Sequence, residues 1–309
     1  MLCNTDNQEQ EQIYVKSIRK CGLCVAKERA LLFQRRGRVI LGSVRPRILF
    51  LTNKRNGAPA EDELLTKFLC NDFELIISHP LDCLPILNTV NGVFIRNIWP
   101  THEYAEDWNR IEAEIRHSGL PTYNPLTGNG DERGKGYLTK LSKWGFPVIP
   151  SVEHIQDIAL LGQPEYYWIK PKDGCDGSGS DKLTGQALRR RRLTNYIIQP
   201  YVEFTSEPSF FFIDNSFSHA IIMPNRLADR DIKQYHPTEE DLNFAQAFVD
   251  WNALPYGIQR IDALRGKDDK LLLSEVEDLC PYLYLAEVPE DTQRRFLEAI
   301  RRSLLSALS

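Results

Sequence analysis

Three acids and a guanidinium stand in two short segments toward the carboxyl end, Arg260-Ile-Asp262 and Ser274-Glu275-Val-Glu277, separated by the turn-forming run Gly266-Lys-Asp-Asp269. Side chains alternate along a strand, so Arg260 and Asp262 share one face, and Glu275 and Glu277 share another. Antiparallel pairing of the two segments would bring three carboxylates and a guanidinium to one patch. Carboxylates so close repel unless a cation lies among them, and hard oxygen donors suit Mg²⁺ bridging phosphates. The alternative is an alternating strand with solvated acids on its outer face. Against it, a strand as apolar as Leu271-Leu-Leu273 seldom carries two glutamates on one face without a partner.

A second segment could face that patch. Lys170-Pro-Lys-Asp-Gly-Cys-Asp-Gly-Ser-Gly-Ser180 places three glycines and two serines directly after an apolar run, where free backbone N–H groups can fold around phosphate oxygens and a lysine supplies point charge. It is neither a Walker sequence nor GxGxxG, and a plain surface loop is the competing reading. No order of Ser, His and Asp and no reactive-cysteine motif argues for covalent catalysis. His219 reads as a strand residue with a satisfied hydrogen bond. Cys21-Gly-Leu-Cys24 lacks the second pair that a zinc site needs and reads as two ordinary thiols.

These segments must be positioned by strands and helices that the apolar pattern marks out. Ile48 to Leu51 reads as a strand, followed by a turn over Asn53 to Pro59 and a helix through Leu64, Leu65, Phe68 and Leu69. Strands at Phe73 to Ile77 and Val93 to Ile95 and a helix from about Glu106 to His117, ended by Gly119, complete a small α/β domain with a parallel sheet over residues 43–125. The run from Tyr123 to Gly136 is rich in Gly, Asn, Pro and charge and reads as a linker. Beyond it the pattern predicts a helix from Lys135 to Trp144 and strands at Val148-Ile149, Tyr166 to Ile169, Tyr196 to Ile198 and Phe210 to Ile213. A hairpin turn at Asp214 to Ser216 leads into a strand from Phe217 to Met223. Thr238 and Asp241 cap a helix to about Leu254, strands follow at Gly257 to Leu264 and Leu271 to Glu277, and a final helix carries Phe296, Ile300, Leu304 and Leu308 on one face.

The 309 residues, 42% hydrophobic and 26% charged, suffice for two or three domains with a substantial core. A net charge of −4, from 38 basic and 42 acidic side chains, gives no reason to expect nucleic acid or an acidic membrane as partner. The short basic run Arg189 to Arg192 reads as a solvated helix face. Seven scattered cysteines, an odd number, imply reduced thiols and a cytoplasmic protein. Residues 1–12 lack the basic and apolar parts of a secretory signal, and no apolar run approaches a membrane span of about 18 residues.

A lysine near 135, a strand ending in Lys170, a Gly/Ser loop, the strand Ile197-Ile-Gln-Pro-Tyr-Val202, then Arg-Ile-Asp and Glu-Val-Glu, follow one another in an order that resembles the ATP-grasp superfamily. The resemblance runs from about Lys135 to Leu285. Ser218-His-Ala220 and the stretch Glu275 to Tyr284 are similar to glutathione-synthetase-like carboxylate–amine ligases, including the D-cycloserine-forming group. The resemblance implies an α/β (α+β) ATP-grasp fold preceded by a small Rossmann-like domain. Residues 1–42 would be an extension, 43–125 the first domain, 126–198 a lid subdomain and 199–309 the subdomain with the metal site.

For the site the resemblance implies ATP and one or two Mg²⁺ ions. Lys170 and Lys135 would contact the nucleotide phosphates, with Lys140 as rival to Lys135. The loop from Asp173 to Ser180, with Gly177, Ser178 and Gly179, would close over them. Gln199, Pro200, Tyr201 and Val202 would form the adenine hinge, and Glu207, with Glu203 as alternative, would bind the ribose. Asp262, Glu275 and Glu277 would hold the metal, and Arg260 would stabilise the transferring phosphoryl group. Glutamate at 277, where many relatives have asparagine, keeps an oxygen ligand. Residues 226–236 lack the glycine pair of related ligases.

The expected reaction joins a small-molecule carboxylate to an amine through an acyl phosphate, releasing ADP. An intramolecular cyclo-ligase and a non-catalytic ATP-binding module stand as alternatives. Specificity is expected in the loops Thr52 to Gly57 and Arg96 to His102, where Arg55, Arg96 and His102 are candidates to receive a carboxylate. Homodimer formation is left open.

Overall fold

Residues 45–53, 60–99, 101–174, 177–224 and 231–308 are described by a computed structural model. The first strand, β1 (Arg47–Leu51), is followed by helix α1 (Ala60–Leu69), β2 (Glu74–Ser78), β3 (Gly92–Ile95), α2 (Ala105–Ser118) and the short β4 (Thr122–Tyr123). The four strands form one parallel sheet in the order β2-β1-β3-β4. A parallel sheet is covered on both faces, which is why β1 and β3 read as unbroken apolar runs. Leu49, Leu51, Val93 and Ile95 pack with Trp108, Ile111 and Ile115 of α2 on one side. Ile48, Phe50 and Phe94 pack on the other with Leu65 and Leu69 of α1. Gly119 ends α2 in the left-handed conformation, φ 64°.

The run from Tyr123 to Gly136 does not behave as a free linker. The Asn124 amide donates to the carbonyls of Ile258 (2.6 Å) and Asp278 (2.7 Å), the Asp131 carboxylate accepts from Asp278 N (2.7 Å), and Asp278 in turn accepts from Gly130 N and Glu132 N, both at 2.9 Å. A Cβ on Gly130 would stand 2.6 Å from the Val276 carbonyl oxygen, so only glycine lets the strap pass this close. Sequence composition marks polar groups without saying where they bond. Here they bond to the chain 134 to 154 residues ahead.

Helix α3 (Tyr137–Lys143) starts two residues after Lys135, which therefore precedes the helix instead of lying on it. The strand expected at Val148-Ile149 is only an isolated bridge, Val148 to Leu273. Strands β5 (Tyr166–Pro171), β6 (Asp181–Thr184) and β7 (Tyr196–Pro200) form an antiparallel sheet in the order β6-β5-β7, with α4 (Gly185–Arg190) against it. Neither β6 nor α4 stands out in the apolar pattern. Arg189 to Arg192 are exposed at and beyond the end of α4.

The third sheet is larger. Strands β8 (Phe204–Ile213), β9 (Ser216–Met223), β10 (Lys233–Tyr235), β11 (Ile258–Gly266) and β12 (Leu271–Glu277) run in the order β10-β9-β8-β11-β12, all antiparallel. Helix α5 (Glu239–Asn252) opens with the expected capping box of Thr238 and Asp241, and its Ala245, Phe248 and Val249 cover one face with α3. The other face is divided along its length. Ile213 and Phe211 of β8, Ile221 of β9 and Ile258 of β11 join the core under the first sheet, together with Phe296, Ile300 and Leu304 of the final helix α6 (Glu290–Ala307). Further along the same strands and the same face come Ser209 and Glu207, Met223, and Arg260 and Asp262. Residues 45–309 form one compact unit, and none of its described helices is long and apolar enough to cross a membrane.

His219 sits in this divided face, stacked 4.5 Å from Phe211 and edge-on to Phe296 at 4.9 Å. Nδ1 meets Ser218 Oγ at 3.2 Å, but Nε2 has no hydrogen-bond partner among the described residues, so the expected satisfied histidine is satisfied at one nitrogen only. Burial pushes its pKa down to about 4. A depressed folded-state value contributes stability above the unfolded value near 6.5 that is lost as pH falls through 4, on the order of 3 kcal/mol. Replacing His219 with Phe should therefore flatten the pH dependence of unfolding free energy between pH 6.5 and 4. Parallel wild-type and variant curves would show that His219 does not titrate across that range on unfolding.

Candidate functional site

Antiparallel pairing of β11 and β12 places Arg260 opposite Glu277 and Asp262 opposite Glu275. The register then slips, because Ala263 pairs with Leu273 and leaves Ser274 as an extra residue in β12. A bulge of this kind re-aims side chains, and here Ser274 and Glu275, though consecutive, both reach the same cleft. That cleft spans about 680 Å³, part of which is open solvent. From the three-stranded sheet and its loop come Trp168, Lys170, Gly177 and Ser178; from the five-stranded sheet come Glu207, Ser209, Met223, Arg260 and Asp262.

Charges in the cleft are matched. Arg260 Nε donates to Asp262 at 3.0 and 3.1 Å, Nη2 reaches Asp262 at 2.9 Å and also bonds Glu277, and Nη1 donates to the Tyr282 carbonyl at 2.8 Å. Its Cζ lies 5.5 Å from the centre of the Tyr284 ring. Burial opposes the guanidinium charge, but Asp262 and Glu277 more than restore it. Lys135 forms an ion pair with Glu275 and donates to the Gly174 carbonyl at 2.8 Å. Burial works against its ammonium too, and Glu275 with Asp131 outweighs that and holds it charged. Loss of hydration raises Glu277 above the ordinary carboxylate range; Arg260 pulls it down, while Asp262 and Glu275 push it further up.

Most of the residues singled out in the sequence meet here. Lys135, Lys170, Gly177, Ser178, Glu207, Arg260, Asp262 and Glu275 line the cleft, whereas Glu277 lies behind Arg260 and is not on the wall. Lys140 is exposed on α3 and Glu203 pairs with Lys267 at the surface, so neither rival reaches the site. Lys170 Nζ donates to Ser274 Oγ at 3.2 Å. Asp173 and Gly179 are exposed on the loop and not on the cleft wall. Gln199, Pro200, Tyr201 and Val202 are also off the wall: the Gln199 side chain is buried and donates to Ser151 Oγ at 2.9 Å, and the Tyr201 N–H is taken by the Tyr166 carbonyl.

Two features of the site differ in detail from the sequence pattern. Among the described residues no group of three or more His, Cys, Asp or Glu is arranged to hold a metal ion; Lys135 pairs with Glu275, and Arg260 with Asp262 and Glu277. The donor chemistry still fits a hard divalent ion: every donor is a carboxylate oxygen, and burial and mutual repulsion leave Glu277 short of negative-charge stabilisation. Arg96 cannot receive a substrate carboxylate. Its side chain is 2% exposed and is spent on Glu61 (2.6 Å), Asp62 (3.2 Å) and the Pro281 carbonyl (2.8 Å). His102 is exposed on a short 3₁₀ turn, and Arg55, Cys21, Cys24, Cys175 and residues 226–230 lie outside the described residues. Cys280 is buried, with its thiol pKa pushed well up, as suits an inert thiol.

Trp168, Ser209, Met223, Ser274 and Tyr284 complete the cleft and were not singled out in the sequence. Trp168 had a signal, since it shares a strand face with Lys170; Ser274 had none, because only the bulge turns it inward.

Several solved structures share this architecture. D-cycloserine synthetase DcsG matches 84% of this chain and 99% of its own at 19% identity and a TM-score of 0.66. D-alanine–D-alanine ligase from Bacillus anthracis, complexed with ATP, covers 85% and 98% at 14% identity and a TM-score of 0.57. The ATP-grasp ligase PsnB, complexed with a variant of its minimal precursor, Mg and ADP, covers 85% and 98% at 12% identity and a TM-score of 0.58. The chain has the ATP-grasp fold. No protein-family model matches it, and no curated protein matches its sequence. In this fold the cleft lies where the three-stranded sheet faces the five-stranded one, with Arg260 at the centre of its charge.

Removing that centre should be costly. With Arg260→Met, Asp262 and Glu277 lose their shared cation while staying largely out of water, and the unfolding free energy should fall by about 3 kcal/mol. A chemical denaturation midpoint equal to wild type would show that the pair carries no weight.

Proposed function

We propose that the chain is an ATP-dependent, ADP-forming ligase that joins a carboxylate to an amine through an acyl phosphate, acting in the cytoplasm. The observation that carries this is the meeting of Lys135, Lys170, Arg260, Asp262 and Glu275 in one cleft between two sheets of an ATP-grasp fold. A polyphosphate fits such a cleft because its charge needs both cations and a bridging metal. Within this reading residues 43–125 serve as the first domain, 126–198 as the lid and 199–309 as the metal-bearing subdomain.

Lys135 and Lys170 hold the phosphates, and the loop from Asp173 to Ser180, with Gly177, Ser178 and Gly179, closes over them. The Pro200 carbonyl and the Val202 N–H read the adenine edge beside Gln199 and Tyr201, and Glu207 binds the ribose. Asp262, Glu275 and Glu277 are the residues that would hold Mg²⁺, which when bound supplies charge neutralisation between phosphate oxygens. Arg260 offsets charge on the γ-phosphoryl oxygens as the substrate carboxylate oxygen attacks γ-phosphorus and the bond to ADP breaks. The amine then attacks the acyl carbon, phosphate leaves with the bonding electrons, and the amine proton passes to solvent or phosphate. Closure of the loop keeps water from the acyl phosphate. No side-chain nucleophile is needed.

An intramolecular version, in which the amine lies on the activated molecule and a ring forms, is the second reading. Its motivation is that the chain shares its fold with D-cycloserine synthetase. ADP release measured with amino acids supplied singly, in pairs and as short peptides decides between them. Turnover with single compounds supports cyclisation and turnover that requires pairs supports condensation. Intact ATP binding with no ADP release under any mixture would sink the ligase and leave an ATP-binding module.

A further inference from the structure

Glu61 and Arg96 form a buried ionic group remote from the sequence motifs, and its contacts lead to the cleft. Two of the three acids in the first turn of α1 are buried, Glu61 4% and Asp62 1% exposed, and Arg96 lies between them at the end of β3. Asp62 is itself held by Thr52 Oγ1 at 2.6 Å. Isolated buried charges of this kind contribute little net stability, because desolvation offsets their attraction. Their remaining contacts are therefore informative. Arg96 Nη1 donates to the Pro281 carbonyl at 2.8 Å, and the Glu61 carboxylate accepts from Leu283 N at 2.9 and 3.1 Å. The two residues flanking Tyr282 are thus gripped from α1 and from the residue that follows β3. Tyr282 in turn accepts from Arg260 Nη1 at 2.8 Å, and Tyr284, in a left-handed conformation at φ 51°, sets its ring beside the guanidinium. Strain of that kind persists only where the surroundings over-determine the backbone.

We infer that Glu61 and Arg96 are positioning residues that clamp the 281–284 segment and thereby fix the guanidinium of Arg260 for its work in the cleft. The inference rests on the ligase reading for what Arg260 does, but not for where it is held. The first α/β layer then has a part in the phosphoryl-transfer step without touching the nucleotide.

The test compares variants that keep the buried charge balanced. The triple variant Glu61→Met, Asp62→Leu, Arg96→Met replaces the whole ionic group with apolar side chains of similar volume and should keep the wild-type unfolding midpoint. Its kcat for ADP release should fall about 10- to 100-fold, with the KM for ATP unchanged. A wild-type kcat at a wild-type midpoint would overturn the inference. Glu61→Gln and Glu61→Met provide a second comparison at nearly equal side-chain length. The amide oxygen can still accept from Leu283 N, so Gln should retain more of kcat than Met, and equal losses in the two would overturn the clamp. A crystal structure of the triple variant separates this inference from the ligase reading. Displacement of residues 281–284 with loss of the Arg260–Tyr282 bond supports the clamp even if the wild type shows no turnover, and an undisturbed segment refutes it whatever the activity.

Discussion

Acids on neighbouring strands must be compensated, and in this molecule the compensation reaches far from the acids themselves. Asp262, Glu275 and Glu277 face one another across β11 and β12, and their charge is met by Arg260 from within the sheet and by Lys135 from the strap that precedes α3. Each cation is expensive to bury and needs its own support. Lys135 is held in place because Asp131 and Asp278 tie the strap to the end of β12. Arg260 is held because the 281–284 segment is tied to the first α/β layer. Three parts of the chain are therefore ordered around a handful of carboxylate oxygens.

The same compensation bears on the proposed reaction. In the proposed ligase Lys135, Lys170 and Arg260 would already stand on the cleft wall when a polyphosphate enters, and its metal would have to draw Glu275 from Lys135 and Asp262 from Arg260. The division of the five-stranded sheet supports this arrangement. Its strands are anchored in apolar packing at one end and turn polar only beyond it, so Arg260 and Asp262 project from strands whose preceding residues are buried in the core.

Much of this was legible in residues and spacing. The apolar runs at β1 and β3, the Thr238 capping box, the β8–β9 hairpin and the pairing of Arg260-Ile-Asp262 with Glu275-Val-Glu277 all follow from local periodicity and turn chemistry, and the structure has them. What was missed depends on non-local contacts. Strand alternation cannot show that a bulge turns Ser274 inward beside Glu275. An arginine in a loop looks available for a ligand, and only the fold reveals Glu61 and Asp62 closing on Arg96. Polar composition made residues 123–136 look like a linker, although their polar groups are bonded to chain more than 100 residues away.

The packing of α6 beneath the first sheet carries a kinetic implication. Phe296, Ile300 and Leu304 share one core with Ile48, Phe50 and Leu65, and Arg301 bonds Asp72 at 2.6 Å. During synthesis the amino-terminal sheet and α1 emerge long before α6, so the core they share is completed only when residues 290–307 leave the ribosome. Contacts of such sequence separation close late and slowly. Part of this core therefore stays open for most of translation, the condition that favours association between unfinished chains.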